Sequence, residues 1–261
     1  MNADAMQRLK TTDLTCGYQR NIILSKLNIN IQPGKITALI GPNGCGKSTL
    51  LKTMARVQKP KSGTVELDGK NIFQQSSKSI AKQLTMLPQA PITPEGIKVK
   101  ELVAYGRSPH LNQFGKINAL DQKIISQSMM MTAVDGLADR PVDQLSGGQR
   151  QRVWIAMILA QQTDILFLDE PTSFLDLTHQ YELLDCLRQL NQQGRTIVVV
   201  LHDLNQACRY SDHLIVLNQG KIVAEGPPKA VFTAELLNQH FDLKAIVMDD
   251  PITGTPMCVV R

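Results

Sequence analysis

The sequence predicts an α/β fold with two additions, an antiparallel β subdomain at the N-terminus and an α-helical subdomain inserted into the core. Unbroken apolar runs such as Ile165–Leu168 and Thr196–Leu201 alternate with helical segments, as is typical of parallel strands covered on both faces. Before residue 40, strand-like stretches are separated by the turns Gly17-Tyr18 and Pro33-Gly34. From about Gln89 to Pro141, strand-like runs give way to helical segments, which indicates an insert.

The predicted elements define the expected organisation of the chain. In order, they are strands Leu9–Cys16, Ile22–Ile31 and Lys35–Ile40, helices Leu50–Val57, Val99–Gly106, Asp121–Val134 and Gly147–Ala160, strand Ile165–Leu168, helix Thr178–Gln192, strand Thr196–Leu201, helix Leu204–Tyr210, a hairpin of Leu214–Leu217 with Lys221–Ala224, and helix Lys229–Gln239. We expect a single domain over residues 1–261. Its core takes residues 1–88 and 142–261, and the helical subdomain takes residues 89–141.

Composition and charge restrict the class of protein. Hydrophobic residues make up 43% and charged residues 20% of the chain, which is typical of soluble globular proteins. The net charge of +5 arises from scattered Lys and Arg residues, so we expect no nucleic-acid partner. The five cysteines lack C-x-x-C spacing and predict reduced thiols in the cytoplasm. Apolar runs such as Ile197–Leu201 are far shorter than the ~20 residues of a spanning helix, and the N-terminus lacks the apolar stretch of a secretory signal. Any membrane association is therefore expected to be peripheral.

The sequence GPNGCGKST matches the pattern G-x-x-x-x-G-K-[ST], whose glycines let backbone N–H groups surround phosphates. An ordinary Gly-rich turn is the alternative, but the motif lies between a predicted strand and a predicted helix, which favours nucleotide binding. Lys47 would reach the outer phosphates, and the Ser48 hydroxyl would ligate Mg²⁺. The predicted nucleotide-binding residues are Gly41, Pro42, Asn43, Gly44, Cys45, Gly46, Lys47, Ser48 and Thr49. At a helix N-terminus, Cys45 is also expected to react with maleimides, provided that its thiol is exposed.

A second anion-binding motif is Leu145-Ser146-Gly147-Gly148-Gln149, which begins a predicted helix. Small residues leave the N–H groups of the first turn accessible, and Ser146 adds a hydroxyl donor. Taken alone, five such residues are more typical of an ordinary helix N-cap with glycines. The helix that follows is apolar nearly all round, so we expect its neighbours to cover it on most sides.

Two carboxylates follow the buried strand Ile165–Leu168, at the edge where α/β sheets bind ligands. Asp169 would hold Mg²⁺ directly or through water. Glu170 would polarise the attacking water as a general base. A solvated acidic pair at a strand end is the alternative, but the upstream phosphate loop favours the functional interpretation.

Three more residues are candidates because of their positions beside these motifs. His202 follows the strand Thr196–Leu201 and would bind the γ-phosphate or orient the water, although a structural role is also common for such a histidine. Gln89 would bridge Mg²⁺ and the attacking water. The alternative is an ordinary solvated loop residue. Tyr18, in an N-terminal turn, would stack on an adenine ring, or packs as a surface tyrosine.

The motifs, in this order, resemble those of the ATP-binding subunit of an ABC transporter. The resemblance implies a P-loop NTPase of the ABC-cassette fold, in which Tyr18 stacks on adenine, Gly41–Thr49 is the Walker A motif and Gln89 lies in the Q-loop. It also implies that Leu145–Gln149 is the ABC signature, that Asp169-Glu170 ends the Walker B motif, that Ser173–Asp176 is the D-loop and that His202 is the switch histidine. No motif is missing, so the resemblance implies a competent ATPase that uses ATP and Mg²⁺.

The same resemblance implies a mechanism that needs partners. Two copies of the chain would face head to tail, so that Ser146 and Gly148 of one copy complete the ATP site of the other. The helical insert and the Gln89 loop would contact a polytopic permease, which in turn receives cargo from a substrate-binding protein. The chain would then lie on the cytoplasmic face of the cell (inner) membrane as a peripheral protein.

Longer passages are similar to those of the subfamily that serves importers of ferric siderophores, vitamin B12 and haem. They are TLLKTMARVQKPKSG, LVAYGRSPHL, PTSFLDLTHQYELL, HDLNQACRYSDHLIVLNQGKIVAEGPP and the tail DDPITGTPMCVV. A ferric siderophore is the first choice of cargo within that subfamily. The alternative is a soluble ABC ATPase that transports nothing, for example one of iron–sulphur assembly, and an exporter cassette is the third interpretation.

Overall fold

A computed structural model describes residues 8–112, 115–173 and 175–261. The strands are β1 (Leu9–Tyr18), β2 (Asn21–Ile31), β3 (Ile36–Ile40), β4 (Ser62–Leu67), β5 (Lys70–Asn71), β6 (Leu84–Leu87), β7 (Ile165–Asp169), β8 (Thr196–Val200), β9 (His213–Asn218), β10 (Lys221–Gly226), β11 (Ala245–Asp249) and β12 (Pro256–Val260). The α-helices are α1 (Lys47–Met54), α2 (Ser77–Ala81), α3 (Val99–Tyr105), α4 (Ala119–Met131), α5 (Gly147–Ala160), α6 (Leu177–Gln192), α7 (Leu204–Tyr210), α8 (Pro228–Val231) and α9 (Ala234–Phe241). No helix of the described residues is long and apolar enough to cross a membrane.

The chain divides into two compact units, one formed by the residues up to Gln75 together with Asn191–Arg261, and the other by Ser76–Leu190. The first unit contains the predicted antiparallel segment, in which β1 pairs with both β2 and β4. In the same unit, β3 pairs in parallel with β8 and β9, and β10 pairs antiparallel with β9. Every residue of β3 and β8 is buried, which explains their unbroken apolar sequences.

In the second unit, the parallel strands β6 and β7 accompany the helices α3, α4 and α5, which pack against one another. Gly106, at the C-terminal end of α3, allows α3 and α5 to approach each other closely. A Cβ atom at this position would lie 2.1 Å from the carbonyl oxygen of Met157 on α5. Any larger residue would therefore force the two helices apart.

A buried polar cluster surrounds Arg107, which lies in the sequence LVAYGRSPHL. The guanidinium donates from Nε to Asp121 Oδ1 at 2.9 Å and from Nη1 to Ala160 O at 2.7 Å. Both charged side chains are nearly inaccessible to solvent, and His110 Nε2 lies 2.8 Å from Gln161 O. Hydrogen bonds from the Asn118 N–H and from Arg107 hold the pKa of the Asp121 carboxyl below its usual value. The cluster therefore ties the end of α3 to α4 and to the C-terminus of α5.

We expect Asp121→Ala to destabilise the protein by about 3–5 kcal/mol, because it leaves the buried Arg107 charge uncompensated. Chemical denaturation at pH 7 measures this loss. The control is Asp139→Ala, which breaks the exposed pair with Lys100 and should have little effect.

Because its pKa is lowered in the folded state, the Asp121 carboxyl stabilises the protein above its unfolded pKa of about 3.9, and this contribution is lost as the pH falls through the folded value. The variant should therefore lose less stability on acidification than wild type; equal stability of wild type and variant at pH 7 would contradict the role of the cluster.

Several predicted elements need correction. The helix predicted to begin at Leu50 begins at Lys47, and the helix predicted over Lys229–Gln239 is divided into α8 and α9, because the Thr233 side chain accepts a hydrogen bond from Leu236 N and caps a new helix. The strands β4, β5 and β6 and the hairpin of β11 with β12 were not predicted. The predicted domain boundaries, at residues 1–88, 89–141 and 142–261, remain a prediction.

Candidate functional site

The phosphate loop connects β3 to α1 in a conformation that requires glycine. Gly41, Gly44 and Gly46 all have positive φ, at 150°, 76° and 107°. A Cβ atom at Gly41 would lie 2.0 Å from Leu217 O, and one at Gly46 would lie 2.4 Å from a methyl group of Leu24. Side chains at these two positions are therefore excluded by both backbone conformation and space. The loop ends where α1 begins, so the N–H groups of the first turn of the helix point towards it.

Lys47 is only 6% exposed, and its ammonium group closes the loop. Nζ donates hydrogen bonds to Gly41 O at 2.7 Å and to Pro42 O at 3.0 Å. These contacts place a positive charge at the N-terminus of α1, where an anion already gains from the helix dipole. Ser48 is half-buried beside it, and Thr49 is buried. Lysine, helix and loop together form an arrangement suited to phosphate.

The predicted reaction of the Cys45 thiol with maleimides required an exposed side chain. That condition is not met, because Cys45 is only 5% exposed. Its Sγ atom lies 3.9 Å from Lys47 Nζ, under the loop. The loop residues that wrap around the lysine enclose this side chain as well, and the sequence pattern gave no sign of that. Cys45 is therefore a packing residue of the loop, and rapid alkylation by maleimides is no longer expected.

Two further candidates belong to the same unit as the phosphate loop. Tyr18 ends β1, and its side chain is 49% exposed, so the ring is accessible for stacking. His202 is exposed and lies between β8 and α7. Its neighbour Asp203 is the N-cap of α7, since Oδ1 accepts a hydrogen bond from Gln206 N at 2.8 Å. The histidine thus lies between a buried strand and a capped helix.

The second unit holds the acidic pair and Gln89. Asp169 is the last residue of β7 and is 1% exposed. Glu170 follows with φ at 52°, a left-handed conformation that non-glycine residues rarely adopt and that is concentrated at functional sites. Gln89 Nε2 donates a hydrogen bond to Glu170 Oε2, and Ser173 Oγ donates to the same oxygen at 3.3 Å. The structure therefore brings together two residues that the sequence places 81 positions apart.

The signature-like motif begins α5 with a capping box. Ser146 Oγ accepts from Gln149 N at 3.2 Å, and Gln149 Oε1 accepts from Ser146 N at 3.1 Å. Ser146 and Gly147 are exposed, while Gly148 and Gln149 are partly covered. The cap fixes the direction of the first turn, and two glycines leave its surface open to an anion from outside.

The segment Ser173–Asp176 is described only in part, because Phe174 lies outside the described residues. Asp176 Oδ1 accepts a hydrogen bond from His179 N at 2.9 Å and lies 2.7 Å from His179 Nδ1. The backbone N–H of His179 is the main cause of a lowered pKa at the Asp176 carboxyl. Neither this role of His179 nor the Ser173–Glu170 contact was foreseen, although Asp before a predicted helix is a recognisable cap.

The described residues contain no group of three or more His, Cys, Asp or Glu side chains that would hold a metal ion alone. Mg²⁺ does not need such a group, since this ion keeps water and phosphate oxygens and takes only one or two protein ligands; Ser48, Asp169 and Gln89 are the predicted ligands. The assignment of individual site residues remains a prediction.

Known proteins are similar to this chain over nearly its whole length. The family model described as "ABC transporter" matches residues 24–173. The iron(3+)-hydroxamate import ATP-binding protein of Bacillus subtilis (strain 168) is 51% identical, over 97% of this chain and 95% of its own length. The ferric enterobactin transport ATP-binding protein of Escherichia coli (strain K12) is 49% identical, over 98% of this chain and 95% of its own length. Among solved structures, an inward-facing putative metal-chelate type ABC transporter is 31% identical with a TM-score of 0.82, over 96% of this chain and 95% of that one. The predicted fold class is thereby confirmed.

Proposed function

Because the chain belongs to the ABC transporter family, we propose that it powers the import of ferric siderophores. It is an ABC-type ATPase, the ATP-binding subunit of an importer. The observation that carries the cargo assignment is the similarity, over nearly the whole chain, to two proteins that import iron chelated by a hydroxamate and by enterobactin. The two relatives serve different ferric compounds, so the cargo is assigned as a class and not as one compound.

The described side chains support a division of roles in hydrolysis. Lys47 and the loop Gly41–Thr49 would bind the phosphates of ATP, and Tyr18 would stack on its adenine. Ser48 and Asp169 would ligate Mg²⁺, which offsets the charge on the phosphates. Glu170 would accept a proton from the attacking water, with Gln89 and His202 orienting that water.

A second copy of the chain would complete each ATP site. Ser146 and Gly147 are exposed at the N-terminus of α5, and the capping box holds them in place. This surface would bind the phosphates of ATP held by the loop of the partner copy, as the family resemblance implies. Hydrolysis would then require the head-to-tail dimer.

The importer would also contain a polytopic permease. The segment between β6 and α3 carries Gln89 and also exposes Ile92, at 91% of its surface. Such an apolar residue suits contact with the cytoplasmic loops of a permease. The chain would therefore lie at the cytoplasmic face of the membrane and receive cargo only indirectly, through a substrate-binding protein and the permease. The alternative of a soluble, non-transport ATPase has no observation in its favour.

Deleting the gene should abolish growth when a ferric siderophore is the sole iron source, because no other subunit supplies the energy of import. Growth yield and uptake of ⁵⁵Fe-labelled siderophore are the measurements, in a strain that lacks other importers. Wild-type protein should restore uptake, Glu170→Gln should not, and an excess of ferrous salt should rescue every strain. The protein should also co-purify with a polytopic permease from solubilised membranes and hydrolyse ATP faster in that complex. Normal uptake in the deletion strain would contradict the siderophore assignment.

A further inference from the structure

We propose that the C-terminal hairpin, formed by β11 and β12, positions His202 for ATP hydrolysis, and that Asn205 is the residue through which the hairpin acts. The inference rests on the proposed role of His202. It also gives a function to the tail DDPITGTPMCVV, which lies beyond the residues 24–173 that match the family model.

The hairpin is well defined in itself. Its strands pair from Ala245 with Val260 to Asp249 with Pro256, without a register shift. At its turn, Asp250 Oδ1 accepts hydrogen bonds from Ile252 N at 2.8 Å and from Thr253 N at 3.2 Å. An isolated two-stranded hairpin is nevertheless only marginally stable in water. It therefore needs another element to cover one face.

Helix α7 is that element, and Asn205 makes the principal polar contact. Asn205 Oδ1 accepts from Cys258 N at 2.8 Å, and Asn205 Nδ2 donates to Cys258 O at 3.2 Å. Both backbone groups of Cys258 are thereby bonded outside the hairpin. The side-chain amide replaces the next strand of a sheet at the outer edge of β12.

The burial pattern agrees with this docking. Val247 and Cys258 face one another across the hairpin and are half-buried, whereas Ile246 and Met248 are 42% and 49% exposed. On α7, Cys208 lies three residues after Asn205, on the same face of the helix, and is fully buried. Its burial, with smaller effects from Cys258 and Asp203, raises the pKa of the Cys208 thiol to about 12. The hairpin therefore covers the face of α7 that begins with Asn205.

This docking extends to His202 through the first turn of α7. Asp203 caps the helix, and the residue whose N–H it binds, Gln206, is 2% exposed. His202 precedes this cap directly, so its backbone is fixed by β8 on one side and by the orientation of α7 on the other. With only seven residues, α7 is too short to be stable by itself and depends on the elements that pack against it. Loss of the hairpin contact would let the turn at residues 202–205 move, and catalytic geometry tolerates such movement poorly.

The test uses Asn205→Leu in the full chain, assembled with its permease. We expect kcat for ATP hydrolysis to fall about 10-fold while KM for ATP changes less than about twofold, because the variant displaces a group that acts on the transition state and leaves the phosphate loop intact. The stoichiometry of nucleotide binding and the melting temperature control for the amount of folded protein. Thr253→Val, in the turn of the hairpin and away from α7, should retain wild-type kcat.

The decisive arm repeats both changes in a His202→Ala background. If the hairpin acts through His202, Asn205→Leu should cause no further loss there, whereas an unchanged 10-fold loss would mean a merely structural role and would overturn the inference. Wild-type kcat for Asn205→Leu would overturn it as well. Should Asn205→Leu fail to fold, Asn205→Asp carries the test, since it keeps the acceptor for Cys258 N–H, loses the donor, and should lose an intermediate fraction of kcat. If His202→Ala alone kept wild-type kcat, His202 would have no role in hydrolysis and the inference would be overturned. The uptake and Glu170→Gln experiments would still test the proposed function.

Discussion

Replacing Glu170 by glutamine should lower steady-state ATP hydrolysis by about 10²–10⁴-fold, the usual effect of removing a general base. Glutamine keeps the shape of the side chain and can still hydrogen-bond to Gln89, but it cannot accept a proton from water. Nucleotide binding should survive, because the phosphate loop and Asp169 are unchanged. ATP would then persist between the loop of one copy and Ser146 of the other, and gel filtration with Mg-ATP should show a stable dimer.

Three further variants separate this mechanism from a simple single-site ATPase. Asp169→Asn should weaken Mg²⁺-dependent nucleotide affinity itself, since Asp169 is the proposed magnesium ligand. Adding Ser146→Arg to Glu170→Gln should dissolve the dimer by placing a large side chain at the start of α5. Glu182→Gln, an exposed carboxylate on α6 of the same unit, serves as the matched control and should leave hydrolysis unchanged. Near-normal hydrolysis by Glu170→Gln would show that another group is the base.

The second large effect is expected at Lys47. Lys47→Ala should weaken ATP binding by about 100-fold, or roughly 2.8 kcal/mol, because the only ammonium group that the loop encloses in the described residues is lost. Hydrolysis should become undetectable for the same reason. Titration with a fluorescent ATP analogue measures the affinity, and Lys52→Ala, one turn further along α1, is the control for a change of charge alone. Wild-type affinity in Lys47→Ala would remove the phosphate loop from the proposed site.

The sequence predicted those parts of the fold and site that depend on local pattern. The phosphate loop and the acidic pair after β7 could be recognised because their spacing is itself the requirement of the chemistry. The helices Gly147–Ala160 and Leu204–Tyr210 were predicted with the boundaries found in the structure, since capping residues mark their starts. The antiparallel segment was recognised because alternation and turn residues coincide there.

What could not be predicted depends on contacts between residues that are distant in sequence. Strand β4 follows a Lys- and Pro-rich stretch, and its stability comes from pairing with β1, where Leu67 lies opposite Leu9 although the two residues are distant in sequence. The burial of Cys45 results from the path of the loop around Lys47. The role of Asn205 requires a strand that begins 51 residues later, at Pro256. The hydrophobic periodicity of a sequence does not indicate such long-range pairings.

A subunit that hydrolysed ATP continuously would consume ATP even when no cargo was bound to the importer. In this structure Gln89 donates a hydrogen bond to the carboxylate oxygen of Glu170, so one of the lone pairs that would take a proton from water is already engaged. On the proposed mechanism Gln89 also orients the attacking water, and the segment that carries it is the one offered to the permease. A contact with the permease at this segment would therefore act on both the proposed base and the water, and hydrolysis would respond to the state of the importer.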